Sequence, residues 1–228
     1  MPDVLRPPPR RAILREARAG RELVRLGVRT GALWGAPCGV GEPVVVVPGF
    51  GATDRSLSPL RRYLAGRGHD VRRGGFGKMD DEVEDNALRL AARAGELARR
   101  TGRRVALVGW SIGGVVAREA ARERPDAVRR VVTFGTPVEG GPAYTSLARN
   151  YSAERLAEIG ARVEERYEVP ITVPITAIWS RRDGIVTPGA CIDRRSPDVE
   201  HVEVASSHLG MGLDPDVWQT IATRLAAA

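Results

Sequence analysis

The sequence predicts an α/β protein in which helices cover both faces of a mostly parallel sheet of about six strands. Short β-branched runs such as residues 44–47 alternate along the chain with segments in which apolar residues recur every three or four positions. This alternation favours parallel strands joined by right-handed helical crossovers. The 228 residues are enough to bury one full hydrophobic core, and no internal repeat or linker interrupts them, so we expect one main domain.

The predicted elements follow one another in a regular order. The predicted strands are residues 44–47, 69–71, 104–108, 128–134, 175–179 and 202–204. The predicted helices are residues 58–65, 82–100, 115–123 and 215–225. The helix at 82–100 has the clearest pattern, because its apolar residues form one stripe and Gly102 follows as a terminator. These elements place the main domain at residues 42–228.

A basic segment precedes the first predicted strand. Of the net charge of +7, residues 1–34 carry +5, from eight arginines and three acidic residues. Lys78 is the only lysine, so the charge reflects a preference for arginine rather than a phosphate-binding pattern. No base-stacking or base-reading motif accompanies it. We therefore do not expect a nucleic acid as a partner.

Within this segment, residues 11–30 have the spacing of an amphipathic helix. Its apolar stripe consists of Ile13, Ala17, Gly20, Val24 and Val28. We expect residues 1–41 to form this basic helix and a connection, packed on the main domain. The alternative is a helix on an anionic membrane surface, which would make the protein a peripheral membrane protein. Arg10 and Arg11 lack the apolar stretch that follows them in an export signal, so we expect a cytoplasmic location.

The cysteine count is low, with only Cys38 and Cys191. It excludes a disulfide-dense secreted scaffold and a four-cysteine zinc site. The sequence leaves open whether the two thiols pair. No apolar run approaches the roughly 20 residues that a membrane-spanning helix needs.

Residues 138–170 separate two predicted strands by more than an ordinary connection. They contain three of the four tyrosines, Tyr144, Tyr151 and Tyr167. They also contain apolar residues at helical spacing, namely Leu156, Ile159 and Val163. The segment is either a short lid or cap that walls a pocket above the strand ends, or one surface helix with a loop.

The strongest chemical signal is Gly109-Trp110-Ser111-Ile112-Gly113, which lies between a predicted strand and a predicted helix. A serine at such a junction must adopt strained dihedral angles to hold its hydroxyl above the sheet. The residues two before and two after it crowd each other, so both must lack a side chain. The helix start also offers unpaired N–H groups to a developing negative charge. Ser111 is therefore the predicted nucleophile.

A serine hydroxyl needs a base to take its proton. Of the three histidines, His208 follows the last predicted strand, so it lies at the same carboxyl edge of the sheet as Ser111. We predict that His208 is the base, and that His69 and His201 are surface or packed side chains.

The base needs a carboxylate to fix its tautomer and to stabilise the imidazolium. Asp183 follows the predicted strand at 175–179 and lies between Ser111 and His208 in the chain. We predict that Asp183 is this acid. The alternatives are three acidic residues of a later loop that we expect to be solvated, Asp193, Asp198 and Glu200.

Two backbone N–H groups should bind the oxyanion of such a reaction. One is that of Ile112, the residue after the nucleophile. The other comes from the loop after the first strand, with Phe50 as the first choice and Gly51 as the second. Gly49 and Gly51 let this backbone turn inward towards a substrate.

At this point the segments VVVVPGFG, GWSIGG, VVTFGTP, WSRRDGIV and SSHLGM resemble the α/β-hydrolase superfamily, near its bacterial lipase- and esterase-like members. The resemblance covers about residues 42–226. It implies the α/β-hydrolase fold, with Ser111, Asp183 and His208 as the catalytic triad and Phe50 and Ile112 as the oxyanion donors.

The sequence departs from the usual superfamily pattern in three places. Pro48-Gly49 replaces the usual His-Gly of the oxyanion loop. Antiparallel strands before the first parallel strand are not evident. The lid-like insertion at 138–170 is short, and it begins after Gly135-Thr136-Pro137, which resembles the strand-end turn of lipase-like members.

These observations predict a serine hydrolase that cleaves carboxylic esters through an acyl-enzyme. We expect a small ester substrate with an apolar acyl group and a pocket that includes Gly51, Trp110, Pro137, Tyr144 and Tyr151. No cofactor or metal is required by this chemistry. The same triad also serves a thioesterase or an acyltransferase, because fold does not determine substrate. A non-catalytic binding protein on a hydrolase scaffold is the alternative from another class.

Overall fold

In the computed structural model, which describes residues 5–227, the strands form one six-stranded sheet with every pairing parallel. The strands are β1 (Pro43–Val47), β2 (Asp70–Arg73), β3 (Val105–Trp110), β4 (Val128–Phe134), β5 (Ile175–Trp179) and β6 (Val199–Glu203). They lie in the order β2-β1-β3-β4-β5-β6. The predicted α/β architecture is confirmed, and all carboxyl ends meet at one edge.

Seven α-helices occur in the described part of the chain. They are α1 (Ala19–Val28), α2 (Thr30–Leu33), α3 (Ser58–Gly66), α4 (Val83–Thr101), α5 (Ile112–Glu123), α6 (Ala153–Arg166) and α7 (Pro215–Ala226). The four helices predicted for the main domain correspond to α3, α4, α5 and α7. Helix α5 begins three residues earlier than predicted, directly after Ser111, so the turn at that serine is as short as the chain allows.

Both faces of the sheet are buried, and β1 illustrates how. All five of its residues are buried. Val44 and Val46 belong to the core formed with α3 and α7, whereas Val45 and Val47 belong to the core formed with α4 and α5. Successive residues of a strand point to opposite faces, so an unbroken valine run suits a strand that is covered on both sides.

The long helix α4 has the predicted apolar stripe. Leu90, Ala94 and Leu97 are buried against the sheet and α5. The helix ends at Gly102, which adopts the left-handed conformation with φ 66°. A residue with a Cβ is disfavoured in that conformation, so glycine is the natural terminator here.

The N-terminal segment packs on the domain, but not by the predicted face. Its stripe is exposed, with 48% of Ile13, 66% of Val24 and 79% of Val28 accessible to solvent. The expectation of one continuous helix over 11–30 is also wrong, because the segment starts as a 3-10 helix, Arg10–Arg18, before α1 begins. A 3-10 helix has three residues per turn rather than 3.6, so a stripe drawn for an α-helix does not stay on one face.

Between Arg10 and Val28, the buried residues are Ala12, Glu16 and Glu22. Two of the three are acidic, in a segment whose charge is otherwise positive. Residues 1–4 and 228, which belong to the predicted N-terminal and main-domain ranges, lie outside the described residues.

The insertion at 138–170 contains α6, preceded by 3-10 helices at Gly141–Tyr144 and Ser146–Asn150. The Ser152 hydroxyl accepts the N–H of Arg155 at 3.2 Å and so caps the start of α6. The two ends of the insertion are tied together, because the Tyr167 hydroxyl donates to the carbonyl of Val138 at 2.7 Å.

The two cysteines are both free thiols, so they do not pair. Cys38 is exposed and Cys191 is buried. Burial and the nearby charge of Asp183 raise the pKa of the Cys191 thiol well above its usual range, which keeps it protonated. Within residues 5–227, no helix is both long enough and apolar enough to cross a bilayer.

Candidate active site

The turn between β3 and α5 holds Ser111 in a strained conformation. Its φ is 55° and its ψ is −126°, and it is the one non-glycine residue with positive φ among the described residues. A Cβ on Gly109 would lie 2.4 Å from the carbonyl oxygen of Gly113, and one on Gly113 would lie 2.3 Å from that of Pro48. The two glycines are therefore required for the turn, as the motif predicts. Such strain is typical of functional sites.

Asp183 and His208 form a buried pair in the loops that follow β5 and β6. The imidazole Nδ1 lies 2.7 Å from Asp183 Oδ2, and both side chains are at most 3% exposed. The other carboxylate oxygen accepts the N–H groups of Ile185 at 2.8 Å and Val186 at 2.7 Å. A carboxylate can only accept, so Nδ1 carries the proton and Nε2 of the neutral ring is left with a free lone pair.

The imidazole of His208 lies beside the serine turn. Its ring centroid is 5.7 Å from that of Trp110, the residue before Ser111. It also lies over the turn after β4, where a Cβ on Gly135 would be 2.9 Å from Nδ1. Among residues 5–227, no hydrogen bond joins the Ser111 hydroxyl to His208. The structure thus brings Asp183 and His208 into contact and places the serine turn next to them.

The loop after β1 approaches the serine from the other side. A Cβ on Gly49 would lie 3.3 Å from Cβ of Ser111. In this loop, the N–H of Gly51 donates to the carbonyl of Met79 at 2.8 Å, so it is already engaged. In the described chain the N–H groups of Phe50 and Ile112 have no backbone acceptor. Of the two donors considered for this loop, Phe50 is the one left available.

A cavity of about 130 Å³ opens at Ser111 and Ile112. Its apolar walls come from α5, the insertion and the loop after β5, through Val115, Pro137, Ile159, Val163, Ile185 and Val186. Its rim is charged and mixed in sign, with Asp81, Glu82 and Glu84 facing Arg155, Arg162 and Arg166. The interior therefore suits an apolar group, and the rim carries equal numbers of acidic and basic side chains.

The five predicted pocket residues differ in where they lie relative to the cavity. Pro137 lines the cavity. Tyr151 is not among the lining residues, but its hydroxyl donates to Asp81, which lines the cavity, at 3.1 Å. Trp110 stacks on Phe134 and lies beside His208, so it borders the base instead.

Tyr144 packs against a small cluster behind the cavity with Trp179, and Gly51 lies in the β1 loop. The walls from the loop after β5, Ile185 and Val186, were not predicted. Their only sequence signal is that they lie two and three residues after Asp183.

The alternative acidic residue Asp193 is not solvated, contrary to expectation. It is 4% exposed and forms a buried ion pair with Arg118. Burial alone would raise the pKa of Asp193, but the Arg118 charge and hydrogen bonds from Ser196 outweigh it and hold the pKa well below its usual range. Because the carboxylate is buried, its charge needs a partner there. Asp198 and Glu200 are exposed.

The other two histidines lie away from the pair. His69 is buried just before β2, with its Nδ1 3.3 Å from a carboxylate oxygen of Glu42, and burial lowers its pKa. His201 is exposed on β6 and accepts the N–H of Asp193 at 3.0 Å. Among the described residues, no group of three or more histidine, cysteine or acidic side chains is arranged to hold a metal ion.

The chain is similar in sequence to proteins named pimeloyl-[acyl-carrier protein] methyl ester esterase. The one from Yersinia pseudotuberculosis serotype O:1b (strain IP 31758) is 26% identical over 175 residues, which cover 72% of this chain and 64% of that protein. The one from Shewanella woodyi is 32% identical over 99 residues, which cover 43% of this chain and 37% of that protein. The chain thus spans less than two thirds of the length of these curated relatives. No protein-family model matches it.

Several solved structures share the fold. The mature lipase BlEst2 of Bacillus licheniformis has a TM-score of 0.63 at 17% identity, over 84% of this chain and 94% of that chain. A structure of the metagenome-derived lipolytic enzymes LipS and LipT has a TM-score of 0.62 at 21% identity, over 83% of this chain and 93% of that chain. The type II thioesterase BorB from the borrelidin biosynthetic cluster has a TM-score of 0.57 at 18% identity, over 83% of this chain and 93% of that chain.

Proposed function

We propose that this protein, which has the α/β-hydrolase fold, is a serine hydrolase that cleaves carboxylic esters. The observation that carries the proposal is the buried 2.7 Å hydrogen bond between Asp183 and His208 beside the strained turn at Ser111. The sequence similarity to methyl ester esterases supports the same class of reaction.

The proposed reaction begins with attack of the Ser111 hydroxyl on the ester carbonyl while Nε2 of His208 accepts the hydroxyl proton. The N–H groups of Phe50 and Ile112 stabilise the oxyanion that forms. Loss of one such donor typically costs about 2.7–4 kcal/mol of transition-state stabilisation. His208 then returns the proton to the departing alcohol, which leaves an acyl group on Ser111.

Hydrolysis of the acyl-enzyme repeats these steps with water as the nucleophile. His208 takes a proton from water, the hydroxide adds to the acyl carbonyl, and the released Ser111 oxygen is reprotonated. Asp183 stays ionised throughout and stabilises the imidazolium that forms twice. No group outside the chain is needed for the proton transfers.

The cavity indicates which part of the substrate is apolar. Its aliphatic walls begin at Ser111 and Ile112 and continue to the insertion, so the acyl group rather than the alcohol is the natural occupant. Burial of apolar surface contributes about 25 cal/mol per Å² to binding. We therefore propose esters of aliphatic acids as the substrate class.

Hydrolysis of p-nitrophenyl esters from acetate to dodecanoate tests this proposal. We expect turnover that depends on acyl length, and a Ser111→Ala variant whose kcat is lower by at least about a thousandfold. Ser56→Ala, on an exposed 3-10 helix, is the matched control and should retain full activity.

A parallel assay with acyl thioesters, and with added alcohol as acceptor, separates ester hydrolysis from thioesterase and acyl-transfer activity. Absence of turnover of every ester and thioester contradicts the proposal and favours a binding role for the scaffold. Equal turnover by wild type and Ser111→Ala contradicts the assignment of Ser111 as the nucleophile.

Contact of the exposed N-terminal stripe with an anionic membrane stays a prediction. If this prediction holds, the protein should sediment with vesicles that contain an anionic lipid, and a Val24→Ser, Val28→Ser double variant should sediment less. Equal sedimentation of both proteins would remove this role.

A further inference from the structure

The N-terminal 3-10 helix inserts one carboxylate between the two loops that carry Asp183 and His208. Glu16 is 7% exposed. Its Oε1 accepts the N–H of Gly184 at 2.8 Å and that of His208 at 3.2 Å, and its Oε2 accepts the N–H of Leu209 at 2.7 Å. One side chain therefore bridges the residue after the acid and the main chain of the base itself.

The surroundings of Glu16 show that this contact is closely fitted. A Cβ on Gly184 would lie 2.2 Å from the carbonyl oxygen of Ala12 and 2.9 Å from Oε1 of Glu16. Glu22, also buried, accepts the N–H of Ser207 at 3.1 Å. Two carboxylates of the N-terminal segment thus bind the N–H groups of three consecutive residues, 207–209.

The burial of Glu16 makes its hydrogen bonds important for the stability of the two loops. An ionised carboxylate is expensive to bury unless its oxygens are hydrogen-bonded, and charge-assisted bonds from N–H groups are stronger than neutral ones. Both oxygens of Glu16 are used, and all three donors belong to the main chain of the two loops. Loss of the carboxylate leaves the buried N–H groups of Gly184 and His208 and the partly buried N–H of Leu209 unpaired, which favours a rearrangement of the loops.

The other contacts between these loops lie nearer the strand ends: Arg182 Nη1 donates to the carbonyl of Ala205 at 3.4 Å, and the N–H of Val204 donates to the carbonyl of Trp179 at 2.8 Å. Asp183 is held within its loop by the N–H groups of Ile185 and Val186, which do not reach the loop of His208. Glu16 supplies a main-chain link between the loops that is independent of the 2.7 Å contact between Asp183 and His208.

We propose that Glu16 is a positioning residue that sets the distance between Asp183 and His208, so that the basic N-terminal segment is part of the active site. This inference rests on the proposed hydrolase function. Glu16 touches no reacting atom and acts through the two loops. A displacement of about 1 Å at a catalytic group can cost a hundredfold in rate.

The test is Glu16→Gln, which keeps the size of the side chain and replaces one acceptor oxygen by an NH₂ donor that faces N–H groups. We expect kcat per active site, titrated with a fluorophosphonate, to fall about ten- to a hundredfold with KM changed less than about twofold. Glu16→Asp, which restores the charge on a shorter side chain, should recover part of the loss. Leu14→Ala, on the exposed side of the same helix, is the matched control and should behave as wild type.

A second readout does not depend on turnover. The proton between Nδ1 of His208 and Asp183 should give a low-field NMR signal in wild type and Leu14→Ala, and Glu16→Gln should shift or broaden it. If no ester is cleaved by wild type but this signal responds, the proposed function fails while the positioning role stands.

Two outcomes would overturn the positioning role. One is a folded Glu16→Gln protein with unchanged kcat per titrated site and an unchanged signal. The other is failure of both Glu16 variants to fold, which would make Glu16 a purely structural residue.

Discussion

At the scale of single residues, the contact between Asp183 and His208 was predictable because each follows a strand, and parallel strands end at one edge. Glu16 was not predictable. It stands among arginines in an exposed-looking helix, and its partners Gly184 and His208 lie 168 and 192 positions away. Only the tertiary contact shows that this charge is buried. The burial of Asp193 was not predictable for the same reason, because its partner Arg118 lies 75 positions away.

The Asp193–Arg118 pair predicts a dependence of stability on pH. The pKa of Asp193 is lower in the folded protein than the usual value of about 3.9 in the unfolded chain, so the unfolded state binds more protons as the pH falls. This stabilisation is present above about pH 5 and is lost progressively below it. Urea unfolding of wild type between pH 7 and pH 3 should show this loss.

Asp193→Asn removes that titration and leaves Arg118 buried without its counter-charge. We expect it to lower the free energy of unfolding by about 3–5 kcal/mol at pH 7 and to flatten the decline below pH 5. Asp198→Asn, at an exposed position in the same loop, should change the free energy by less than about 0.5 kcal/mol. The same pH slope in wild type and Asp193→Asn would refute this assignment.

At the scale of elements, the strands were predictable because residues buried on both faces leave an unbroken apolar run. The N-terminal segment was not, because Glu16 in its 3-10 helix and Glu22 in α1 make contacts with distant loops that the local sequence pattern does not show. For the insertion, the spacing of Ile159 and Val163 predicted a helix, but whether it walls a pocket depended on where it docks. Both residues line the cavity.

Replacing glycine by alanine should have opposite effects on the free energy of unfolding at the Ser111 turn and in helix α6. Gly109→Ala places a methyl group 2.4 Å from the backbone of Gly113 and Gly114, so we expect a loss of at least about 2 kcal/mol in the free energy of unfolding. Gly160→Ala is the matched control in α6, where a Cβ meets nothing within 4 Å. It should gain about 0.5–1 kcal/mol. Thermal and urea unfolding measure both, and a tolerated Gly109→Ala would show that the turn is less constrained than its geometry implies.

The cavity-lining residues of helix α6 lead to a prediction about selectivity for acyl length. Ile159→Trp adds volume to the cavity wall, so we expect kcat/KM for long acyl esters to fall at least about tenfold while that for acetate changes little. Leu156→Trp, on the same helix but outside the cavity lining, is the control. The ratio of kcat/KM for decanoate to that for acetate is the measurement. An unchanged ratio in Ile159→Trp would place the acyl group elsewhere.

At the scale of the whole molecule, one edge of the sheet gathers loops from β1, β3, β4, β5 and β6, and the insertion and the N-terminal segment cover it. The motif spacing predicted this convergence. It did not predict the mixed charge of the cavity rim or the contacts of Glu16 and Glu22 with the loops after β5 and β6, because both arise from packing between parts of the chain far apart in sequence. The proposed function depends on activation of Ser111 by the Asp183–His208 pair.

Labelling with a fluorophosphonate, followed by mass spectrometry of the intact protein and its peptides, tests this claim most directly. We predict one adduct per chain, on the peptide that contains Ser111. The labelling rate should fall by at least about a hundredfold in His208→Gln and stay at the wild-type value in His201→Gln. No adduct, an adduct on another residue, or equal rates in the two histidine variants would contradict the account.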